Sequence, residues 1–141
     1  MVCLYCKSFT SVANSRPQKR LNQIWRRRSC TTCGAVFTTH ESLDYSKGLV
    51  VQNDKNKITP FQREKLFLSI YRSCRHRKNS LEDAIGLTET VIGKITKLVT
   101  GGSISASILA QEAFETLQNF DQAGSVQYSA YHPEYSYSEE T

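Results

Sequence analysis

The segment Ile24-Trp25-Arg26-Arg27-Arg28-Ser29-Cys30-Thr31-Thr32-Cys33 sets three consecutive arginines just ahead of a Cys-x-x-Cys pair. The same spacing occurs at Cys3 and Cys6, in MVCLYC, and 23 residues separate the two pairs. A Cys-x-x-Cys turn lets two sulfurs meet one ion, and two such turns complete a tetrahedral set of thiolates. Zn2+ is the default occupant. An iron–sulfur cluster also takes four cysteines, and the plain alternative is thiols that pack as small hydrophobes or act in redox. The gap slightly exceeds the usual zinc-ribbon interval, which a longer β-hairpin accommodates. With Cys3, Cys6, Cys30 and Cys33 all ligating, no position is left for a substrate water, so the metal is expected to be structural.

Composition supports this. A chain of 141 residues has room for one ordinary domain or two small ones, and the smaller of two needs a staple. Cys3 lies where a secretory leader would need its charged and apolar segments, so a reducing cytoplasm is expected, where paired cysteines read as metal ligands before disulfides. No apolar run has the length that spans a bilayer. The net charge of +5 is uneven: residues 1–34 hold seven Lys/Arg and no Asp/Glu, whereas the remainder holds eleven against thirteen. The first quarter is therefore a cationic module, and the rest reads as a regulatory or assembly domain.

Along the chain, Thr10–Ala13, Gln23–Trp25 and Ala35–Thr39 are β-prone, with a polar loop around Pro17 to Asn22. Tyr45 to Gly48 is expected to be a hinge, and Leu49–Gln52 with Lys57–Ile58 a hairpin across Asn53 to Asn56. Thr59-Pro60-Phe61-Gln62 has the form of an N-cap, a first-turn proline and a capping box, predicting a helix from Pro60 to about Cys74. Its buried face would hold Phe61, Leu66, Phe67, Ile70 and Cys74, with Cys74 as core. Ser80 is expected to cap a second helix with Leu81, Ala84, Ile85, Val91, Ile92, Ile95, Leu98 and Val99 inward, stopped by Gly101-Gly102. Ser105 starts a third, with Leu109, Ala113, Leu117 and Phe120 inward, and Asp121 a fourth through Tyr131. The fold class is α+β, a small β module followed by a mainly helical domain with a short hairpin. Domain bounds are expected at 1–46 and 47–132, with 133–141 a frayed polar tail. His40, His76 and His132 are scattered and are assigned no chemistry.

On a strand, Arg26 and Arg28 point to one face and Arg27 to the other. Charge runs are commonly only solvated. Here Arg16, Lys19 and Arg20 join them in a module without a carboxylate before Glu41, beside the flat ring of Trp25, which favours nucleic acid. Phosphate contacts would supply salt-dependent affinity, and one or two arginines could read guanine edges.

The order Cys3-x-x-Cys6, Ser15-Arg16, Arg26-Arg27-Arg28-x-Cys30-x-x-Cys33 and Phe37-Thr38-Thr39-x-Glu41 resembles the zinc ribbon of the NrdR transcriptional repressors, which regulate bacterial ribonucleotide reductase genes. Val50-Val51, Pro60-Phe61 and Glu64-Lys65-Leu66 are similar to the family's second half, an ATP-cone. The resemblance implies a non-enzymatic homo-oligomer whose ribbon binds double-stranded operator DNA and whose cone binds ATP or dATP. It places Val51, Gln52, Asn53, Lys55, Lys57, Lys65 and Tyr131 at the nucleotide, with Arg77 and Lys78 where the family has a basic pair. The chain departs from the family at Gln52-Asn53, where a Lys-Arg pair and a following glycine are usual, and at Ala130-Tyr131-His132, where Val-Tyr-Arg is usual. A second reading stays open, a constitutive nucleic-acid module whose degenerate cone only oligomerises. A catalytic fragment or accessory of the reductase is disfavoured by length and by the lack of a glycyl-radical or paired active-site thiol arrangement beyond the ribbon.

Overall fold

Short β-prone stretches in the first forty-two positions build a three-stranded antiparallel sheet, ordered β1 (Thr10–Gln18), β2 (Gln23–Cys30), β3 (Val36–Ser42). In the computed structural model, which describes residues 1–132, this sheet belongs to a first compact unit, Met1–Asp44, and a second unit begins at Tyr45. The polar tail expected over 133–141 lies outside the described residues. β1 and β2 pair from Thr10↔Cys30 to Gln18↔Gln23, with a register shift between Val12 and Asn14. Both strands run longer than their β-prone cores. Pro17 is tolerated because β1 is an edge strand, where a missing N–H costs no ladder bond. The loop thereby shrinks to one turn of 3₁₀ helix, Lys19–Leu21, closed by Asn22 in the left-handed region at φ 48°, a conformation asparagine adopts readily.

The second unit opens with a single helical turn, α1 (Tyr45–Gly48), at the expected hinge. A hairpin follows, β4 (Val50–Gln52) with β5 (Ile58–Pro60), joined by β6 (Ser103–Ser105) parallel to β4 in the order β5-β4-β6. Helices α2 (Arg63–Cys74), α3 (Ser80–Leu98), α4 (Ala106–Phe120) and α5 (Gln122–Tyr131) complete it. α2 packs on α3 and α5, and α4 packs on the same two, so the four close a ring. The core contains Phe61, Ile70, Cys74, Val91, Ile95, Ala113 and Leu117, with Leu49 and Ile104 supplied by the small sheet. Buried hydroxyls bond back to their own helices, Thr88 to the Ala84 carbonyl at 2.7 Å and Thr116 to that of Glu112 at 2.7 Å, so neither is left stranded. No helix among the described residues is long and apolar enough to cross a membrane.

Four local expectations are corrected. The helix predicted from Pro60 begins at Arg63, because Thr59 and Pro60 pair with Val51 and Val50 and the Phe61 N–H donates to the Leu49 carbonyl at 2.9 Å. Sheet pairing and burial of Phe61 thus override the capping pattern, and Gln62 takes the cap position. Asn79, not Ser80, caps α3. On that helix Leu81, Ile85 and Leu98 are exposed, and Leu87 and Thr88 take the inward positions. Phe120 is exposed too, its ring covered by the Arg77 guanidinium at 4.5 Å. Ser105 does cap α4, its hydroxyl accepting from the Ile108 N–H at 3.2 Å.

Candidate metal centre and nucleic-acid interface

The two cysteine turns are built alike. After each second cysteine the chain enters the left-handed region, at Lys7 (φ 63°) and at Gly34 (φ 72°). In each, the N–H of that residue returns to the carbonyl of the first cysteine, Lys7 to Cys3 at 3.2 Å and Gly34 to Cys30 at 3.0 Å. The first cysteine's own N–H reaches forward to Ser8 at 2.7 Å or Ala35 at 2.9 Å. Such loops turn both sulfurs to one side. All four Sγ atoms lie within 4.8 Å of one another, with Cys3 to Cys33 at 3.6 Å and Cys6 to Cys30 at 3.5 Å. A tetrahedron with Zn–S bonds of about 2.3 Å has an edge of about 3.8 Å, so the spacing suits that ion.

Protonation chemistry agrees with this fit. The hydroxyl and backbone N–H of Ser8, bonding to the sulfur, bring Cys6 down to about 6. At Cys33 the Ala35 N–H acts downward, but the Cys6 sulfur, desolvation and the remaining sulfurs outweigh it and push the thiol up to about 12. Crowded thiols divide their protons unequally; a dication among them favours four thiolates together. His40 is not part of the cluster. Cys74 is a core thiol of the second unit, pushed up to about 11 by burial first and then by the charges of Asp121 and Asp83.

Cys30 ends the middle strand, so the cluster anchors the strand that carries Arg26, Arg27 and Arg28. The register sets Arg26 opposite Ser15 and Thr39, Arg28 opposite Val12 and Phe37, and Arg27 opposite Asn14 and Thr38. Arg26 pairs with Glu41 at 2.8 Å, while its Nε is buried without a hydrogen-bond partner. The Arg28 Nε donates to Thr39 Oγ1 at 3.2 Å. Arg27 and Arg16 are exposed, as are Lys19 and Arg20 at the turn between β1 and β2.

The residues expected at a nucleotide divide into two groups. A cleft of about 300 Å³ in the second unit is lined by Val51 and Lys65 together with Gln62, Ser69, Tyr128 and His132, among others. Gln52, Asn53, Lys55, Lys57 and Tyr131 do not line it. Gln52 Nε2 donates to Asn56 Oδ1 at 2.9 Å, and Asn53 Oδ1 accepts the N–H groups of Lys55 at 3.0 Å and Lys57 at 2.8 Å, which shapes the β4–β5 turn. Lys55 and Lys57 are exposed on that turn, and Tyr131 is exposed at the end of α5. Arg77 is occupied by Asp83 at 2.7 Å, and Lys78 is exposed. His132, given no chemistry in the sequence, bonds Ser69 Oγ at 2.8 Å and lies 4.4 Å from the Tyr128 ring at the cleft. Stepping one helical turn from Lys65 reaches Ser69, a signal available in the sequence, whereas nothing local joins either to His132.

Comparison with known proteins bears on the whole chain. Residues 1–41 match the family model described as the N-terminal domain, a zinc ribbon, of transcriptional repressor NrdR-like proteins. The "Transcriptional repressor NrdR" of Sinorhizobium fredii is 31% identical over 143 residues, covering 99% of this chain and 88% of its own length. The protein of that name from Rhizobium etli is 31% identical over 146 residues, with the same coverage. That of Ligilactobacillus salivarius is 29% identical over 136 residues, 96% of this chain and 85% of its own.

Proposed function

This chain belongs to the NrdR family of transcriptional repressors, and on that premise we propose that it represses ribonucleotide reductase genes by binding their operators through the ribbon, under the control of ATP or dATP held in the second unit. It is a regulatory protein and not an enzyme. The observation that carries the reading is the cluster of four Sγ atoms within 4.8 Å at the foot of a strand bearing three consecutive arginines. Zn2+ held by Cys3, Cys6, Cys30 and Cys33 supplies a structural crosslink and no reaction chemistry. The basic residues Arg16, Lys19, Arg20, Arg26, Arg27 and Arg28 give the ribbon its charge toward double-stranded DNA.

The second unit acts as a cytoplasmic nucleotide sensor and homo-oligomerisation domain, an ATP-cone. Its cleft takes the nucleotide with Val51 against the base or sugar and Lys65 toward phosphate; Gln52, Asn53, Lys55 and Lys57 on the adjoining turn, and Tyr131 on α5, complete the contacts. A nucleotide changes DNA affinity only by favouring one assembly over another. An assembly that spaces two ribbons by a DNA helical turn gains avidity for paired sites. Titrating ATP and dATP against the zinc-loaded protein, with mass followed by light scattering and binding to a reductase-promoter duplex followed over a salt series, tests this. A change of mass accompanied by a change of affinity is expected; a protein that binds the duplex identically with and without nucleotide contradicts the sensor. The constitutive alternative draws on a specific observation, namely that Gln52 and Asn53 spend their side chains on their own turn.

A further inference from the structure

We propose that the ribbon reads DNA with one face of its sheet, the face carrying Asn14, Arg16, Trp25, Arg27, Thr38 and His40, and that Arg26 and Arg28 are positioning residues on the opposite face. This rests on the DNA-binding reading above and assigns roles within it. Residues directly opposed across a ladder share a face, with Cβ atoms about 4.5–5.5 Å apart. The pairs Arg16↔Trp25↔His40 and Asn14↔Arg27↔Thr38 therefore form two rows across the sheet, one beside the other along the strands. Three strands span about 10 Å, comparable to a major groove about 12 Å wide.

Charge separates the two faces. The three strands contain one carboxylate, Glu41, and its register opposite Ile24 puts it on the face of Arg26, to which it is bonded at 2.8 Å. Arg28 on that same face is held by Thr39 at 3.2 Å and is only partly exposed, beside a half-buried Phe37. Turning either guanidinium toward a phosphate or base would break a contact that holds β2 to β3. The other face carries Arg16 and Arg27, both exposed, and no acid to neutralise them. Its residue types are those that read base edges: arginine bidentate to guanine, asparagine bidentate to adenine, threonine against the thymine methyl. The half-buried Trp25, seated between Arg16 and His40, stiffens the row and offers a flat surface to the duplex.

Fluorescence anisotropy of the full zinc-loaded chain with two probes, a reductase-promoter duplex and a random-sequence duplex, tests the assignment. Arg16→Ala and Arg27→Ala are each expected to weaken binding to both duplexes about tenfold and to lower the salt slope by about one. Asn14→Ala is expected to weaken the promoter complex more than the random one. Arg26→Gln and Arg28→Gln, which remove charge at a distance, are expected to cost about threefold or less. Glu41→Gln, which releases Arg26, should leave affinity within about twofold. The assignment is overturned if Arg26→Gln or Arg28→Gln, with wild-type zinc content and melting temperature, loses as much as Arg27→Ala, or if Arg16→Ala and Arg27→Ala bind like wild type. Failure of the unmodified zinc-loaded protein to bind either duplex at low salt overturns the DNA-binding function itself, and this result is separable because it precedes any comparison of variants.

Discussion

Within Met1–Asp44 the buried side chains are those of Cys3 and Cys30, while from Tyr45 onward Phe61, Ile70, Val91, Ile95 and Leu117 assemble an apolar core. The same chain thus uses two means of paying for conformational entropy. A three-stranded sheet of this length cannot bury enough apolar surface by itself, so metal–thiolate bonds take the place of packing. The freedom this gives is functional: with no apolar layer to cover, both faces of the ribbon sheet carry polar and charged side chains. The helical unit has the opposite design, and a cleft is cut into its packing between β4, β5, α2 and the helices beyond it.

The largest effect that sharpens this contrast is loss of a ligand. Cys30→Ser should unfold the first unit, because structural zinc contributes about 10–16 kcal/mol of folding energy in small metal domains. Dispersed amide resonances of residues 1–44 should vanish while those of the second unit persist; survival of the ribbon's resonances would show that the sheet stands without its staple. Next comes Leu117→Ala, fully buried in the helical unit. It should cost about 2–5 kcal/mol by denaturant unfolding and leave zinc stoichiometry unchanged. A loss below about 1 kcal/mol would mean that the core is not what holds this unit.

Cys74 offers a third handle, since it is the cysteine that belongs to the core. Its folded-state pKa of about 11 lies above the ordinary 9.0, so the folded state retains a proton that the unfolded chain gives up. The corresponding stability is complete below pH 9.0 and is lost as the pH rises toward about 11, by an amount of about 3 kcal/mol. Comparing the pH dependence of unfolding with that of Cys74→Ala isolates this contribution; identical slopes would place the thiol in contact with water. The smallest effect is at a helix end. Ser105→Ala removes the hydroxyl that accepts from the Ile108 N–H and should cost about 1 kcal/mol by thermal unfolding, with the ribbon unaffected.

The clustering of four sulfurs was legible because its signal is short and local: two Cys-x-x-Cys turns specify their own geometry wherever the intervening chain goes. The same holds for Ser105, whose cap lies three residues from the N–H it serves. The parts that were not legible depend on distant partners. Thr59-Pro60 has every feature of a helix start, yet pairing with Val50 and Val51 and burial of Phe61 decide its conformation. β6 is three residues long, too short for a period, and exists because β4 offers it an edge. Strand alternation separates Arg27 from Arg26 and Arg28 in the sequence itself, but that Glu41 and Thr39 engage the latter two depends on the register with β3. At the cleft, Ser69 lies one helical turn from Lys65, but His132 reaches it from 63 residues away.

In the function proposed, a metal ion gripped by four sulfurs holds the ribbon in the form that binds DNA. The most direct test of that role is promoter-duplex affinity measured on one sample before chelation, after chelation and after return of Zn2+, with bound zinc quantified at each stage. One zinc per chain at the start, loss of affinity together with the metal, and recovery of both are expected. Undiminished affinity in protein shown to be free of metal would contradict that role.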